Sequence, residues 1–423
     1  MVTNPAIVIP TIWTRESSRR GASDRTVLSQ RFRHGTDIGY PNPRLAATLE
    51  SLSRQRDVGK VILVVGATDR LIEQRADERV REVVAGFPTL DILVVGPGEF
   101  GSLTRRLEQI DLAGMIPALT PESYGSVRNL GLIAAAVLGH DAVIFIDDDE
   151  LCQGGPTCGP DDFMERATFG LGARTYMGTY VLAKTGYAVD ASGSWRHTEA
   201  SHWSDTFWNV GEAYNEAMAE VLVPPRLQPA KFAIGGALAI HREMFTKVAF
   251  DPWITRGEDA DYVLNMRLHG AEMYFDDQWT VTDLPPERSS DALRFRHEVS
   301  AFVYSRRKME FSKSQVDLRP VNPHDLAPFP GDFLDSTLTS RAFLTGALRA
   351  LAGRERSEHM SAAAHAVREA GAYARKHCAN YFALQRAWGY MMDALWEDVP
   401  LKSLYSGERS MDHTHSTGSF RAV

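Results

Sequence analysis

The chain has 423 residues, of which 44% are hydrophobic and 24% charged, a globular composition that excludes disordered, fibrous and collagen-like classes. Against 46 Lys and Arg stand 54 Asp and Glu, a net charge of −8, which argues against a nucleic-acid partner. The length accommodates two or three domains of roughly 100–200 residues, or one large α/β unit with an appendage. Cys152, Cys158 and Cys378 are odd in number and fit no common zinc spacing, so a reducing, cytoplasmic setting is expected. Residues 1–13 show no signal-peptide pattern, and the apolar run Gly131–Gly139 is far short of the ~20 residues a transmembrane segment needs.

In chain order, Ala6–Pro10 (AIVIP), Val61–Val65 (VILVV), Ile92–Val95 (ILVV) and Ala142–Ile146 (AVIFI) read as strands. β-Branched runs without alternation suit parallel strands covered on both faces. Helical patterns lie between them over Leu45–Arg54, Leu71–Ala85, Leu103–Ile110 and Ser126–Leu138. This alternation predicts a Rossmann-like open, mostly parallel α/β sheet flanked by helices. Such sheets bind ligands beyond the carboxyl ends of their strands, here Thr11–Arg15, Gly66–Arg70, Gly96–Gly98 and Asp147–Glu150.

Residues 16–42 read as an insertion. Over 15–34, six arginines (Arg15, Arg19, Arg20, Arg25, Arg31, Arg33) face two acids, as in a solvated loop or a clamp over an anion. Residues 170–232 are aromatic-rich, with Trp195, Trp203, Trp208, Tyr176, Tyr180, Tyr187 and Tyr214. Prolines 320, 323, 328 and 330 mark a linker over 321–338. Helical patterns follow through Thr339–Ala352, Ser357–His377 and Asn380–Trp396. Their apolar spacing predicts a helical extension over 339–405 whose helices pack on one another, a candidate homo-oligomer interface. Residues 406–423 read as a disordered tail. No internal repeats occur.

The strongest local signal is Asp147-Asp148-Asp149-Glu150 at the end of an apolar strand. Carboxylates so close repel unless a cation compensates them, and hard oxygens select Mg²⁺ or Mn²⁺ with positions left for substrate phosphates. Arg128, in the segment Tyr124–Gly131 that opens the preceding helix, is expected in the first turn. There it needs an anionic partner, either a diphosphate or the Asp147–Asp149 cluster. Gly235-Gly236 inside the apolar run Phe232–Phe245 points to a close backbone approach. Arg256-Gly257-Glu258-Asp259-Ala260-Asp261 opens a helix that stops at Gly270; taken alone, its acids are ordinary dipole partners.

Taken together and in order, these pieces resemble the nucleotide-sugar-dependent glycosyltransferases of the GT-A fold, particularly the family-2-like group, over roughly residues 5–310. The resemblance implies a glycosyltransferase domain over 1–320 and assigns roles. Asp147 would face the nucleotide ribose with Asp148 beside it, and Asp149 would hold the metal on the diphosphate. Arg128 would face the nucleotide or diphosphate, Pro10 and Thr11 the base, and Arg15 the donor's anionic side. Gly235 and Gly236 would border sugar and acceptor; separately, the aromatic segment 176–214, Trp208 included, reads either as stacking platforms for a sugar or as a cover packed on the sheet. Asp259 would be the general base of an inverting enzyme, with Glu258 beside it.

Two departures from the family pattern stand out. Where relatives carry an acid that reads the base, this chain has Val65-Gly66-Ala67-Thr68-Asp69, so Asp69 is the substitute. Where relatives carry a metal-binding His, it has Thr280-Val281-Thr282-Asp283, so Asp283 is the substitute oxygen ligand and His297 a weaker candidate. Arg306-Arg307-Lys308 is expected at a helix end, reaching the diphosphate or forming an exposed basic turn.

The expected reaction is metal-dependent transfer of a hexose from a nucleotide diphosphate sugar to a carbohydrate or small hydroxylated acceptor. Three alternatives remain open: a retaining transferase acting on glycerate or phosphoglycerate, a sugar-phosphate nucleotidyltransferase, and a non-catalytic binding protein. Pro10-Thr11-Ile12-Trp13-Thr14 is not the Gly-rich loop that a nucleotidyltransferase needs.

Overall fold

The computed structural model describes residues 2–15, 35–152, 162–175, 178–196, 202–284, 291–353 and 356–407. Arg19, Arg20, Arg25, Arg31 and Arg33 of the insertion, Cys158, Tyr176 and residues 408–423 lie outside the described residues.

The strands are β1 (Pro5–Thr14), β2 (Thr36–Asp37), β3 (Val61–Ala67), β4 (Ile92–Val95), β5 (Ala142–Phe145), β6 (Glu150–Leu151), β7 (Ala183–Val189), β8 (Leu227–Ala230), β9 (Leu238–His241) and β10 (Met273–Asp283). The helices are α1 (Pro43–Ser53), α2 (Glu73–Val84), α3 (Pro97–Gln109), α4 (Ile116–Leu119), α5 (Tyr124–Leu138), α6 (Phe163–Thr168), α7 (Val210–Val221), α8 (Arg242–Phe245), α9 (Glu258–Leu268), α10 (Asp291–Ser312), α11 (Leu338–Leu351), α12 (Arg356–Arg368), α13 (Ala370–Leu395) and α14 (Val399–Tyr405).

One ten-stranded sheet runs β4-β3-β1-β5-β9-β7-β10-β6, with β2 on β1 and β8 on β10. The half from β4 to β5 is parallel, as the βα alternation predicts. Beyond it β9 is antiparallel to both β5 and β7, while β7 and β10 are parallel. The β-branched runs are buried on both faces. In β1, Ala6, Val8 and Ile12 point into one core and Ile7, Ile9 and Trp13 into the other, the period-2 alternation of a strand between two layers.

Helix α5 occupies the centre of one layer, with every residue from Gly125 to Val137 buried. Ser123 caps it by accepting from Ser126 N, and left-handed Gly139 ends it, a standard stop. On its far side α13 and α14 complete the same core: Trp388, Met391, Leu395 and Leu401 join Val8 and Val127 in one cluster. The sequence pattern places a helix break between His377 and Asn380; the structure places it at Glu369, beside Gly371, and α13 runs unbroken through Asn380. Nothing over 377–380 breaks a helix, whereas glycine weakens one. No described helix is long and apolar enough to cross a membrane.

Candidate active site

A cleft of about 890 Å³ opens at the carboxyl ends of β1 and β5. Among the described residues, eleven carboxylates and four arginines line it. The acid strand end (Asp147, Asp148, Asp149, Glu150), the glycine pair, Glu258, Asp259 and Asp283 all face this one space, together with Pro10 and Ile12.

Arg128 ties the two acidic segments together. It lies one turn inside α5, not at the exposed helix start, and is 1% exposed. Its Nε donates to Glu258 Oε1 at 3.0 Å, Nη1 to the Gly235 carbonyl at 3.0 Å and Nη2 to Asp147 Oδ1 at 2.9 Å. The rings of Phe145 and Phe250 lie 5.1 and 5.9 Å from the guanidinium carbon. Burial works against its charge, but Asp147, Glu258 and Asp259 hold it more firmly protonated than an ordinary arginine. Of the two partners open in the sequence, the acid cluster is the one that Arg128 takes, with one N–H of each of its three nitrogens given to protein groups.

The glycine pair accommodates side chains of the protein itself. A Cβ on Gly235 would stand 2.4 Å from Arg128 Nη2, and one on Gly236 would stand 1.6 Å from Glu150 Oε2. Glu150, which the sequence reading left without a role, is buried and accepts from Asp147 N at 3.0 Å. Its signal in the sequence was the adjacent glycine at position 236, but sequence spacing does not reveal a partner 86 residues away.

The other acids are held individually. Asp148 accepts from Thr11 Oγ1 at 2.6 Å and from Asn42 Nδ2 at 3.3 Å. Thr11, expected to line a base pocket, is instead fully buried beneath Asp148, leaving Pro10 and Ile12 on the cleft wall. Asp149 has Arg44 Nη1 at 3.5 Å. Burial, then the neighbouring Asp148, Asp147 and Asp283, push Asp149 up to about 8. Asp148 and Asp283 are pushed up to about 6, again first by burial, with Asp147 adding to both.

Acids this close are relieved either by taking up protons or by a cation. Asp149 and Asp283 are hard-oxygen donors that face the cleft, and Asp283 adds to the raised proton affinity of Asp149. Among the described residues no group of three or more His, Cys, Asp or Glu is placed to hold a metal ion by itself. Two carboxylates with the remaining positions left to phosphate oxygens and water is how Mg²⁺-class ions bind at phosphoryl sites, so the residues fit such an ion.

Helix α9 separates its three acids, as a rotation of about 100° per residue requires. Left-handed Gly257 (φ 69°) precedes the helix. All three border the cleft, but Glu258 is engaged by Arg128 and Asp261 by Lys308, which leaves Asp259 without a cationic side-chain partner among the described residues. Asp259 Oδ2 accepts from Gly235 N at 3.0 Å and Oδ1 from Ala260 N at 2.8 Å. Burial, then Glu258, push it up to about 7.

Several expected site residues lie elsewhere. Trp208 is 2% exposed, with Phe295, Phe302 and Phe333 against its ring, so no face is left for a sugar; core aromatics and stacking platforms look alike in composition. Arg15 and Asp69 do not line the cleft. They pair with each other at 3.4 Å, and Asp69 also accepts from Leu71 N. Arg306, Arg307 and Lys308 fall within α10, not at its end. Arg306 and Arg307 pair with Glu310, and Lys308 is fully buried with its Nζ 2.6 Å from both Asp251 and Asp261. The weaker metal candidate His297 is buried in α10 and does not line the cleft.

No protein-family model and no curated protein matches this chain. Similar solved structures include a mannosyltransferase from Pyrobaculum calidifontis in complex with GDP-Man and Mn²⁺, at 14% identity and TM-score 0.43, covering 96% of this chain and 88% of that one. A mycobacterial protein is similar at 15% identity and TM-score 0.38, covering 71% and 72%. GalNAc-T7 with UDP, GalNAc and Mn²⁺ is similar at 12% identity and TM-score 0.38, covering 80% and 56%.

Proposed function

We propose that the chain is a metal-dependent glycosyltransferase that moves a hexose from a nucleotide diphosphate sugar to an acceptor hydroxyl with inversion, Asp259 acting as base. The observation that carries this reading is the juxtaposition in one cleft of a strand-end carboxylate group suited to a divalent ion and a separate carboxylate, Asp259, held at about 7. A hydroxyl is a poor nucleophile, and a carboxylate near the working pH that takes its proton contributes roughly 10²–10⁴-fold. Asp259 keeps a fixed orientation through Gly235 N and retains lone pairs to accept that proton. Arg128 holds Glu258, the residue before Asp259, at a set position relative to Asp147. Asp149 and Asp283 would hold Mn²⁺ or Mg²⁺, which supplies positive charge for the leaving diphosphate.

The test is a panel of nucleotide sugars with Mn²⁺, scored by nucleoside diphosphate release, followed by NMR of the product. Metal-dependent release with an inverted anomer is expected. Release with the donor's configuration retained overturns inversion, and no release with any donor overturns the reading as a whole.

A further inference from the structure

Arg256 is the one arginine on the cleft wall for which the described structure provides no partner. Arg128 gives three of its five N–H donors to Asp147, Glu258 and the Gly235 carbonyl. Arg294 donates to Glu298 at 3.0 Å. Arg196 lies 5.2 Å from the Trp195 ring. Arg256 also lines the cleft, and its Nη1 is buried without a hydrogen-bond partner. No ion pair or ring contact to Arg256 occurs among the described residues. In a cleft with eleven carboxylates, a cation left without a counter-charge is unusual. A buried donor without an acceptor is costly, and a guanidinium cannot escape that cost by losing its proton.

Its place in the fold says which molecule brings the acceptor atoms. Arg256 stands three residues before Asp259, across left-handed Gly257, so the two side chains come from one short turn. The donor diphosphate is accounted for at the strand end, where Asp149 and Asp283 suit a divalent ion. The stretch that carries Arg256 contributes apolar Ile254 and Leu264 to the lining as well as Glu258, Asp259 and Asp261, and none of these carboxylates pairs with Arg256 among the described residues. The hydroxyls of an uncharged sugar accept hydrogen bonds but bring no counter-charge, whereas an oxyanion supplies both.

We propose that Arg256 binds an anionic group, a carboxylate or a phosphate, on the acceptor whose hydroxyl is presented to Asp259. This rests on the glycosyltransferase reading. The planar fork of donors matches either oxyanion with two parallel hydrogen bonds. An anion anchored there orients the hydroxyl as well as adding affinity, so specificity for charged acceptors over neutral ones resides in this side chain. The same chemistry could come from the donor diphosphate, and the experiment separates the two.

The full chain is assayed with Mn²⁺ and the donor found in the panel, using glucose, glucuronate and glucose 6-phosphate as matched acceptors, with inorganic phosphate as a competing probe. Wild type, Arg256→Gln and Arg256→Lys are compared after their unfolding curves are shown to superimpose. The expected result is a preference for the charged acceptors, with inorganic phosphate competitive against acceptor. In Arg256→Gln the charged-acceptor kcat/KM falls by roughly 10–100-fold, the range for a charge-assisted hydrogen bond, while donor KM is unchanged. Arg256→Lys recovers part of the loss. Equal phosphate inhibition in wild type and Arg256→Gln overturns the proposal, and so does a rise in donor KM exceeding that for acceptor, which would place the anion on the diphosphate. Should no donor be turned over, the glycosyltransferase reading fails by itself. Calorimetric titration of inorganic phosphate then decides the site: Arg256-dependent binding supports an anion site, and its absence overturns one.

Discussion

Replacing Arg128 with Met removes the one charge that, among the described residues, links Asp147 to Glu258 and keeps most of the apolar stem. Three hydrogen bonds disappear, and two carboxylates and one carbonyl lose their donor. Glu258 bears most of the penalty, with a side chain 11% exposed, whereas that of Asp147 is 36% exposed and partly answered by water. Breaking a buried ion network from one side costs about 3–5 kcal/mol. With an m-value of about 3 kcal/mol/M, the urea midpoint should fall by about 1–1.7 M. Adding Glu258→Gln removes the stranded charge and should recover at least ~1 kcal/mol. Urea unfolding followed by tryptophan fluorescence measures both, and titration with a nucleoside diphosphate and the matching nucleoside supplies the contrast. An unchanged midpoint, with diphosphate affinity lost far more than nucleoside affinity, would refute the reasoning and return Arg128 to the phosphate.

Asp259→Asn should lower turnover by roughly 10²-fold or more while donor and metal still bind. Because the base acts only when ionised, and burial raises its pKa to about 7, wild-type kcat/KM should climb as pH rises through about 7; a variant that keeps both the rate and that limb removes Asp259 as base. Asp149→Asn and Asp283→Asn should each abolish the Mn²⁺ dependence of donor binding with the circular dichroism spectrum unchanged. Donor affinity indifferent to EDTA in wild type would rule out the ion. In Gly236→Ala the new methyl would stand 1.6 Å from Glu150 Oε2, so the carboxylate must leave Asp147 N. Overpacking of this kind costs about 1–3 kcal/mol, and turnover should drop at least about tenfold; wild-type values for both would show that the glycine is dispensable.

Local pattern told most where the physics is local. The strands of the parallel half were readable because burial on both faces demands unbroken β-branched runs, as in Val61–Val65. Strand β7 was not, because Lys184 and Gly186 interrupt its apolar run, and β10 hides Asp276 inside an ion cluster with Lys184 and Arg226. At the site, Asp259 and the strand-end acids were legible from their order in the chain. The partner of Arg128 was only half legible: an acid cluster was one of two options, but Glu258 lies 130 residues away. Trp208 was misplaced because an aromatic residue carries the same composition signal in a core as on a binding wall.

The packing of α13 and α14 against α5 sets a timetable for synthesis. Trp388 Nε1 donates to the Phe245 carbonyl at 2.8 Å, Glu397 N to Ala136 O at 3.0 Å, and Arg106 pairs with Asp398 at 2.8 Å. One face of α5 therefore waits for side chains made roughly 250 residues later. At about 5–20 residues per second of translation, that is about 12–50 s during which the end of α5 around Ala136 and Gly139, which Glu397 covers, lacks its final cover. The nascent chain holds the acid strand end and the Asp259 helix well before that cover arrives, so its ability to bind donor should emerge late and abruptly, with the last two helices.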